Sequence, residues 1–164
     1  MLPRVDAMLP LEIEIPGRGT LRLRHLVSDV NGTLAVDGEL VTGVAERLAR
    51  LSEQMVIHLL TADTYGKQTA IDAALGLTAH RIHGKNGARQ KADFVRRLEG
   101  DVVAIGQGAN DALMLREAAL GICVLSAEGA ATETLLAATV VVPNVLTALD
   151  LLLQPRRLVA TLRQ

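Results

Sequence analysis

The chain has 164 residues, of which 49% are hydrophobic and 21% charged, and its formal net charge is -1. This length and composition are typical of one soluble globular domain and exclude a largely disordered chain. The near-neutral charge, the lack of a basic run and an aromatic content of 1% argue against a nucleic-acid partner.

The cellular location is predicted from what the sequence lacks. A single cysteine, Cys123, excludes an internal disulfide and is typical of a reducing compartment. No apolar stretch is long enough to cross a membrane, and residues 1–10 lack the layout of a signal peptide. We therefore expect a cytoplasmic location and no membrane insertion.

Two strands with alternating polar and apolar residues are predicted at the start, at 11–15 and 20–24. Because the turn sequence PGRG lies between them, residues 11–24 are predicted to form an N-terminal β-hairpin. The hairpin would either extend the sheet edge or mediate assembly into a homo-oligomer.

From residue 25 onward, apolar strands alternate with amphipathic helices. The predicted strands are 26–30, 55–60, 80–83, 101–105, 121–125 and 139–142. The predicted helices are 43–52, 64–75, 88–98, 110–118, 129–136, 144–152 and 155–162. This alternation predicts an α/β fold with a doubly wound, mostly parallel sheet. One domain would span 1–164, with a core at 25–145 and C-terminal helices at 146–164.

In such sheets ligands bind beyond the carboxyl ends of the strands. The first core strand ends in DVNGTL, at residues 29–34. A carboxylate beside a Gly-containing loop can attack phosphorus, so Asp29 is a candidate nucleophile that would form an acyl phosphate. Gly32 and Thr33, in the same loop, are candidate phosphate contacts. The alternative is that Asp29 only caps a turn.

The next core strand ends in TADT, at residues 61–64. The Thr61 hydroxyl and the amide of Ala62 could hold a phosphate oxygen, helped by the start of the next helix. Capping of that helix by Asp63 or Thr64 is the alternative. Tyr65 is a weaker candidate for a substrate contact.

The loop after strand 101–105 has the sequence GQGANDA, at 106–112. It begins like a dinucleotide-binding motif, but Asp111 occupies the third glycine position and would repel a pyrophosphate. An acid there is better explained as a ligand of a hard cation, directly or through water. Capping of the helix by Asn110 or Asp111 is the alternative.

Lys91 is predicted near the start of helix 88–98, where a cation opposes the helix dipole and needs a partner elsewhere. We expect it to reach Asp29 and a bound phosphate, although a solvated surface lysine is the commoner outcome. The histidines have a simpler interpretation. His58 is predicted to be a core residue, and no metal-ligand spacing links His80 and His83 to a cysteine or carboxylate.

Taken in order, these motifs resemble those of the haloacid dehalogenase (HAD) superfamily, in particular its soluble P-type-ATPase-like phosphatases. DVNGTL resembles the nucleophile motif, TAD the Thr-Gly-Asp motif, QKADFV at 90–95 the lysine motif, and 106–115 the Gly-Asp-Gly-x-Asn-Asp loop. The resemblance covers residues 25–145. It implies a Rossmannoid fold and a Mg²⁺-dependent phosphomonoester hydrolase that acts through an aspartyl phosphate on Asp29.

The resemblance also implies a role for each matching residue. The implied metal ligands are Asp29, the backbone carbonyl of Asn31, Gln107 and Asp111. The implied phosphate contacts are Gly32, Thr33, Thr61, Ala62, Lys91 and Asn110, and the implied catalytic residues are Asp29, Asn31, Thr61 and Lys91.

Two positions depart from the family pattern. Asn31 replaces an Asp that transfers protons in the family phosphatases, and since such assistance is worth about 10²–10⁴ in rate, slow turnover is expected. Gln107 replaces an Asp ligand, and because an amide brings no charge, affinity for Mg²⁺ should fall. The main alternative is therefore a catalytically degenerate phosphate- or Mg²⁺-binding regulatory module. A transporter interaction domain is a weaker alternative.

The surroundings of this site are predicted to be sparse. Only a short hairpin with an Asp37-Gly38 turn fits between Thr33 and Val41, so no cap domain is expected. The partner would be a phosphorylated substrate whose identity the sequence does not reveal.

Overall fold

The computed structural model describes residues 8–63 and 66–164. The strands are β1 (Leu11–Ile15), β2 (Gly19–Asp29), β3 (Ala35–Val36), β4 (Glu39–Leu40), β5 (Val56–Thr61), β6 (His80–Arg81), β7 (Asp101–Gly106), β8 (Leu120–Val124) and β9 (Val140–Val142). The helices are α1 (Val44–Leu51), α2 (Gln68–Leu75), α3 (Gly87–Arg97), α4 (Ala112–Glu117), α5 (Thr132–Ala137), α6 (Val145–Leu153) and α7 (Pro155–Leu162).

A seven-stranded sheet forms the centre of the molecule, in the order β6-β5-β2-β7-β8-β9, with β1 beside β2. Every neighbouring pair along this order is parallel, and within this sheet β1 runs antiparallel to β2. Helices cover both faces. Leu26 and Val27 are fully buried in different hydrophobic clusters because consecutive side chains of a strand point to opposite faces. The predicted doubly wound α/β fold is confirmed.

One prediction about β2 was wrong. The hairpin strand 20–24 and the core strand 26–30 are a single strand, Gly19–Asp29. Its first half pairs with β1, and residues His25–Asp29 pair with β5. The sequence changes from alternating to continuously apolar near residue 25 because the strand changes partners and becomes buried on both faces, not because the chain turns.

Most other elements lie within one or two residues of their predicted bounds. Helix 64–75 begins only at Gln68, and helix 129–136 begins at Thr132. The predicted helix 110–118 starts as a 3₁₀ turn at Ala109–Asp111 before α4. The predictions for Thr64 and Tyr65 fall outside the described residues.

The connection from β2 to α1 is short, as predicted. It carries only β3 and β4, joined by Asp37 and Gly38 with φ of 52° and 79°. Left-handed backbone at both turn residues is the requirement of a type I′ hairpin. Across 8–63 and 66–164 no cap domain interrupts the core, and none of the helices there is long and apolar enough to cross a bilayer.

Candidate active site

The predicted residues converge at one edge of the sheet. Because β2, β5 and β7 are parallel, Asp29, Thr61 and Gly106 all stand at carboxyl ends along that edge. A cavity of about 190 Å³ opens there. It is lined by Asp29, Asn31, Ala62, Lys91, Gln107, Gly108, Asn110 and Glu128. The remaining predicted residues, Gly32, Thr33, Thr61 and Asp111, are buried.

A buried ion triad lies at the floor of the site. Lys91 Nζ donates to Asp29 Oδ1 at 2.7 Å and to Asp111 Oδ1 at 2.8 Å. Lys91 is 1% exposed, Asp29 6% and Asp111 0%. Helix α3 places Lys91 at the end of β2, where it reaches Asp29 as expected from the sequence.

The triad holds two carboxylates against one ammonium. Burial and then the Asp111 charge raise the pKa of Asp29 to about 7, although Lys91 and Thr33 act in the opposite direction. For Lys91, burial lowers the pKa, but the two carboxylates outweigh it and the net shift is upward. The lysine therefore stays charged, and the excess of negative charge suits a nearby cation, which would favour ionised Asp29.

Asp111 has its hydrogen-bonding capacity largely used inside the protein. Oδ1 accepts from Lys91, and Oδ2 accepts from the backbone N–H groups of Gln107 at 3.0 Å and Gly108 at 3.1 Å. A Cβ on Gly106 would lie 2.6 Å from Asp111 Cβ, so only glycine permits this approach. These contacts use three of the roughly four acceptor sites of the carboxylate, and they hold Lys91 and the loop in place.

The loop after β2 orients the nucleophile. Thr33 Oγ1 donates to Asp29 Oδ2 at 3.0 Å, so Thr33 contacts the candidate nucleophile itself. Gly32 has a φ of 81°, and a Cβ at that position would lie 1.9 Å from Gln107 Nε2. A side chain at position 32 would therefore displace the end of the Gln107 side chain and would need a left-handed backbone that residues other than glycine rarely adopt.

Asn31 and Thr61 form the other side of the site. Asn31 Nδ2 donates to Thr61 Oγ1 at 3.1 Å, and the backbone N–H of Asp63 donates to the same oxygen at 2.8 Å. The Thr61 hydroxyl thus acts as an acceptor twice, and its proton can still be donated to a phosphate oxygen. The Asp63 carboxylate accepts from the backbone N–H of Gln68 at 3.0 Å, at the start of α2.

The donor set fits a hard divalent cation. Asp29, the Asn31 carbonyl and Gln107 offer oxygen atoms, which Mg²⁺ prefers. Within residues 8–63 and 66–164, no group of three or more His, Cys, Asp or Glu side chains could hold a metal. A cation here would therefore depend on carbonyl, amide, water or substrate oxygens in addition to carboxylates.

Glu128 lines the cavity and was missed by the sequence reasoning. It follows β8 in an exposed turn closed by a hydrogen bond from Gly129 N to Ser126 O at 2.9 Å. The rule that ligands bind beyond strand ends pointed to this segment, but no local motif marked Glu128.

A second polar cluster, the histidine cluster, consists of His25, His58, His80 and Phe94. His25 Nδ1 lies 3.1 Å from His58 Nε2, and Phe94 meets the His58 ring edge-on at 5.3 Å. Burial, followed by the neighbouring His25 and His80, lowers the pKa of His58 to about 4. His58 is partnered, as predicted, but it is only partly buried rather than a core residue.

No model of a known family matches the sequence. The sequence is 52% identical over 62 residues to an uncharacterized protein of Methanocaldococcus jannaschii. The aligned region covers 38% of this chain and 67% of that protein. A second uncharacterized protein of this organism is 49% identical over 39 residues, 24% of this chain and 89% of that protein. The potassium-transporting ATPase ATP-binding subunit of Halobacterium salinarum is 27% identical over 146 residues, 79% of this chain and 20% of that subunit.

Solved structures share the fold at low sequence identity. The cobalt-bound deoxy-D-mannose-octulosonate 8-phosphate phosphatase of Haemophilus influenzae has a TM-score of 0.64 at 16% identity, covering 80% of this chain and 88% of that one. The 3-deoxy-D-manno-octulosonate 8-phosphate phosphatase of Moraxella catarrhalis, in complex with magnesium, phosphate and the sugar acid, has a TM-score of 0.61 at 18% identity. The match covers 86% of this chain and 94% of that one. A zinc-transporting PIB-type ATPase has a TM-score of 0.57 at 22% identity, and the match covers 74% of this chain and 20% of that one.

Proposed function

We propose that this chain is a Mg²⁺-dependent phosphomonoester hydrolase. It belongs to the same family as the two Methanocaldococcus jannaschii proteins, and it has the haloacid dehalogenase fold. The observation that carries the proposal is the buried triad at the strand edge, in which Lys91 bonds both Asp29 and Asp111. The solved phosphatases of this fold, one with cobalt and one with magnesium and phosphate, support it.

Asp29 is the nucleophile in this proposal. One of its carboxylate oxygens forms a bond to phosphorus while the bond from phosphorus to the substrate alcohol breaks, which leaves an aspartyl phosphate. Water then attacks phosphorus, the aspartyl bond breaks, and inorganic phosphate leaves. Lys91 compensates the negative charge during both steps, and Thr33 holds the other carboxylate oxygen in place.

The phosphoryl group would lie over the cavity lined by Ala62, Lys91 and Asn110. The Thr61 hydroxyl donates to one phosphate oxygen, and Ala62, which lines the cavity, is the candidate for a backbone contact. The backbone N–H groups of Gly32 and Thr33 already donate to Ala35 O at 2.7 Å and to Val30 O at 3.1 Å, so the sequence-based assignment of these two residues as phosphate contacts is not supported by their backbone amides. Bound Mg²⁺, held by Asp29, the Asn31 carbonyl and Gln107, would supply charge neutralisation at the phosphate. Asp111 acts indirectly, by holding Lys91 and the Gln107 loop.

Asn31 makes the reaction slow. Its amide cannot give a proton to the leaving alcohol or take one from water, and it is already bonded to Thr61. Solvent must then supply and accept these protons, at a cost of about 10²–10⁴ in rate. An alcohol that is a good leaving group would suffer least.

The substrate class is a phosphorylated small molecule. The solved phosphatases of the same fold act on a phosphorylated sugar acid, so sugar phosphates are the first compounds to test. Assembly into a homo-oligomer and a cytoplasmic location stay predictions.

The test is phosphate release from para-nitrophenyl phosphate and from sugar phosphates, with and without Mg²⁺. We expect Asp29→Ala to abolish release and Asn31→Asp to raise kcat by about tenfold or more. Asp37→Asn is the matched control, because it changes an exposed carboxylate of the neighbouring hairpin and should leave the rate unchanged. Equal rates for the wild type and Asp29→Ala would remove Asp29 from the mechanism.

The regulatory-module alternative predicts a different result, and the neutral side chains of Asn31 and Gln107 are the observation in its favour. Such a protein would bind Mg²⁺ and beryllofluoride at Asp29 but release no phosphate from any substrate. Restored turnover in Asn31→Asp would then identify the missing proton donor as the cause.

A further inference from the structure

We propose that Glu128 supplies the carboxylate that Gln107 lacks and so completes the cation site beside Asp29. This inference rests on the proposed function only in that both require a divalent cation at this cavity. Glu128 and Asp29 are the carboxylates that line the cavity in the part of the chain that the structure describes. Asp111, the other nearby acid, is fully buried and bonded to Lys91 and two backbone amides.

The side chains of Glu128 and Gln107 both end close to Gly32. The position that a Cβ on Gly32 would occupy is 1.9 Å from Gln107 Nε2 and 3.5 Å from Glu128 Oε2. Both side-chain ends therefore lie beside the nucleophile loop. Since the oxygen and nitrogen of a Gln amide can exchange places by a simple flip, Gln107 can present its oxygen to the same cation.

The backbone fixes the Glu128 turn against the Gln107 loop. Ala131 N donates to Gln107 O at 2.8 Å, and Thr134 Oγ1 donates to Gly108 O at 2.6 Å. The Glu128 backbone N–H itself donates to Ser126 Oγ at 3.1 Å. These bonds hold the turn that carries Glu128 beside the Gln107 loop before any ligand arrives, so the backbone needs no rearrangement on binding.

Glu128 is placed to replace the missing ligand and not the missing proton donor. The Asn31 side chain points towards Thr61, at the end of β5. Glu128 comes from the turn after β8, and the sheet order puts β5 and β8 on opposite sides of β2. Gln107, at the end of β7, stands on the Glu128 side.

The charges also agree with this assignment. Lys91 is shared between Asp29 and Asp111, so these three residues together carry one excess negative charge when Asp29 is ionised, the form that a bound cation favours. Adding Glu128 brings two carboxylates to the cavity, and Mg²⁺ sites of this kind commonly combine one or two carboxylates with substrate phosphate oxygens.

The test is binding of Mn²⁺, as a paramagnetic substitute for Mg²⁺, measured by electron paramagnetic resonance without substrate. We expect Glu128→Gln to raise the Kd by roughly tenfold or more, because a charged ligand is replaced by a neutral one. Glu133→Gln, an exposed glutamate in the first turn of α5, is the matched control and should leave the Kd within about twofold.

The double variant Gln107→Asp with Glu128→Gln makes the test specific. If Glu128 substitutes for an acid at position 107, the double variant should regain wild-type Mn²⁺ affinity. An unchanged Kd in Glu128→Gln would overturn the inference, and so would weak binding that Gln107→Asp fails to rescue. Thermal unfolding without metal, measured for every variant, shows whether a change in the Kd comes from a loss of folding.

The outcome separates this inference from the proposed function. Mn²⁺ binding that depends on Glu128 in a protein that hydrolyses no phosphate ester would support the cation site and refute the hydrolase. Phosphate release with an unchanged Kd in Glu128→Gln would do the reverse.

Discussion

Helix α3 covers two polar clusters that respond differently to burial. Through Lys91 it joins the charged triad with Asp29 and Asp111, and through Phe94 it packs on the histidine cluster. The triad keeps its ammonium charged, whereas burial in the histidine cluster lowers the pKa of His58 and keeps that ring neutral. The charge is thus retained beneath the cavity, where chemistry can use it, whereas the His58 ring of the histidine cluster is kept uncharged.

The largest expected effect comes from removing the ammonium. Lys91→Met leaves the buried carboxylates of Asp29 and Asp111 without a counter-charge, and we expect the free energy of unfolding to fall by about 3–5 kcal/mol. Urea unfolding at pH 7 without divalent cations measures this. A loss below about 1 kcal/mol would mean that the triad contributes no more than a surface ion pair.

Replacing one carboxylate should cost less. In Asp111→Asn an amide oxygen can still accept from Lys91, but an NH₂ group then faces the N–H groups of Gln107 and Gly108. Two lost acceptor contacts should cost about 1–3 kcal/mol in urea unfolding. The pKa of Asp29 should fall as well, since the Asp111 charge raises it, and NMR titration of the carboxyl carbon without metal would detect the change.

The histidine cluster should make stability depend on acid. Unfolded His58 binds a proton below its ordinary pKa of 6.5, but the folded ring does so only near pH 4. Stability from this residue is therefore complete above pH 6.5 and is lost as the pH falls towards 4. Between pH 7 and pH 4.5 the wild type should lose on the order of 1–3 kcal/mol more than His58→Leu. Parallel losses in both proteins would exclude His58 as the source.

The smallest effect is expected at the surface. Lys67 and Glu39 form an ion pair of 2.9 Å, but their side chains are 49% and 79% exposed. Lys67→Met should change the free energy of unfolding by less than about 1 kcal/mol, so it serves as the matched control for Lys91→Met. A change as large as that of Lys91→Met would contradict the distinction between buried and exposed charge.

Much of the fold could be predicted because its signals are local. Apolar runs mark the parallel strands, and the position of Asp29 at the end of such a run, followed by Gly32, marks the site. β2 was wrongly predicted as two strands. A change of pairing partner within one strand and a turn between two strands both appear in the sequence as a change of hydrophobic pattern. The order of the motifs led us to expect Lys91 near Asp29, and in the structure the two side chains are hydrogen-bonded.

The roles of two residues required three-dimensional information. Asp111 was predicted as a cation ligand, directly or through water, which stays a prediction, and its hydrogen bonds to Lys91 and to backbone amides could not be read from the sequence. Glu128 carries no local signal, because what places it is the register between β7 and β8 and the bonds from Ala131 to Gln107. Asn31 and Gln107 were expected both as implied metal ligands and as departures from the family pattern, but the bond from Asn31 to Thr61 could not be read from the sequence.

The continuous strand β2 determines which part of the backbone opens last. Residues His25–Asp29 are hydrogen-bonded to β5 on one side, and most of them to β7 on the other. Amide protons in such a central segment exchange with deuterium only when the whole molecule unfolds, whereas turns exchange through small local openings. The loops around the cavity can therefore fluctuate on their own timescale while the peptide that carries the nucleophile stays in register.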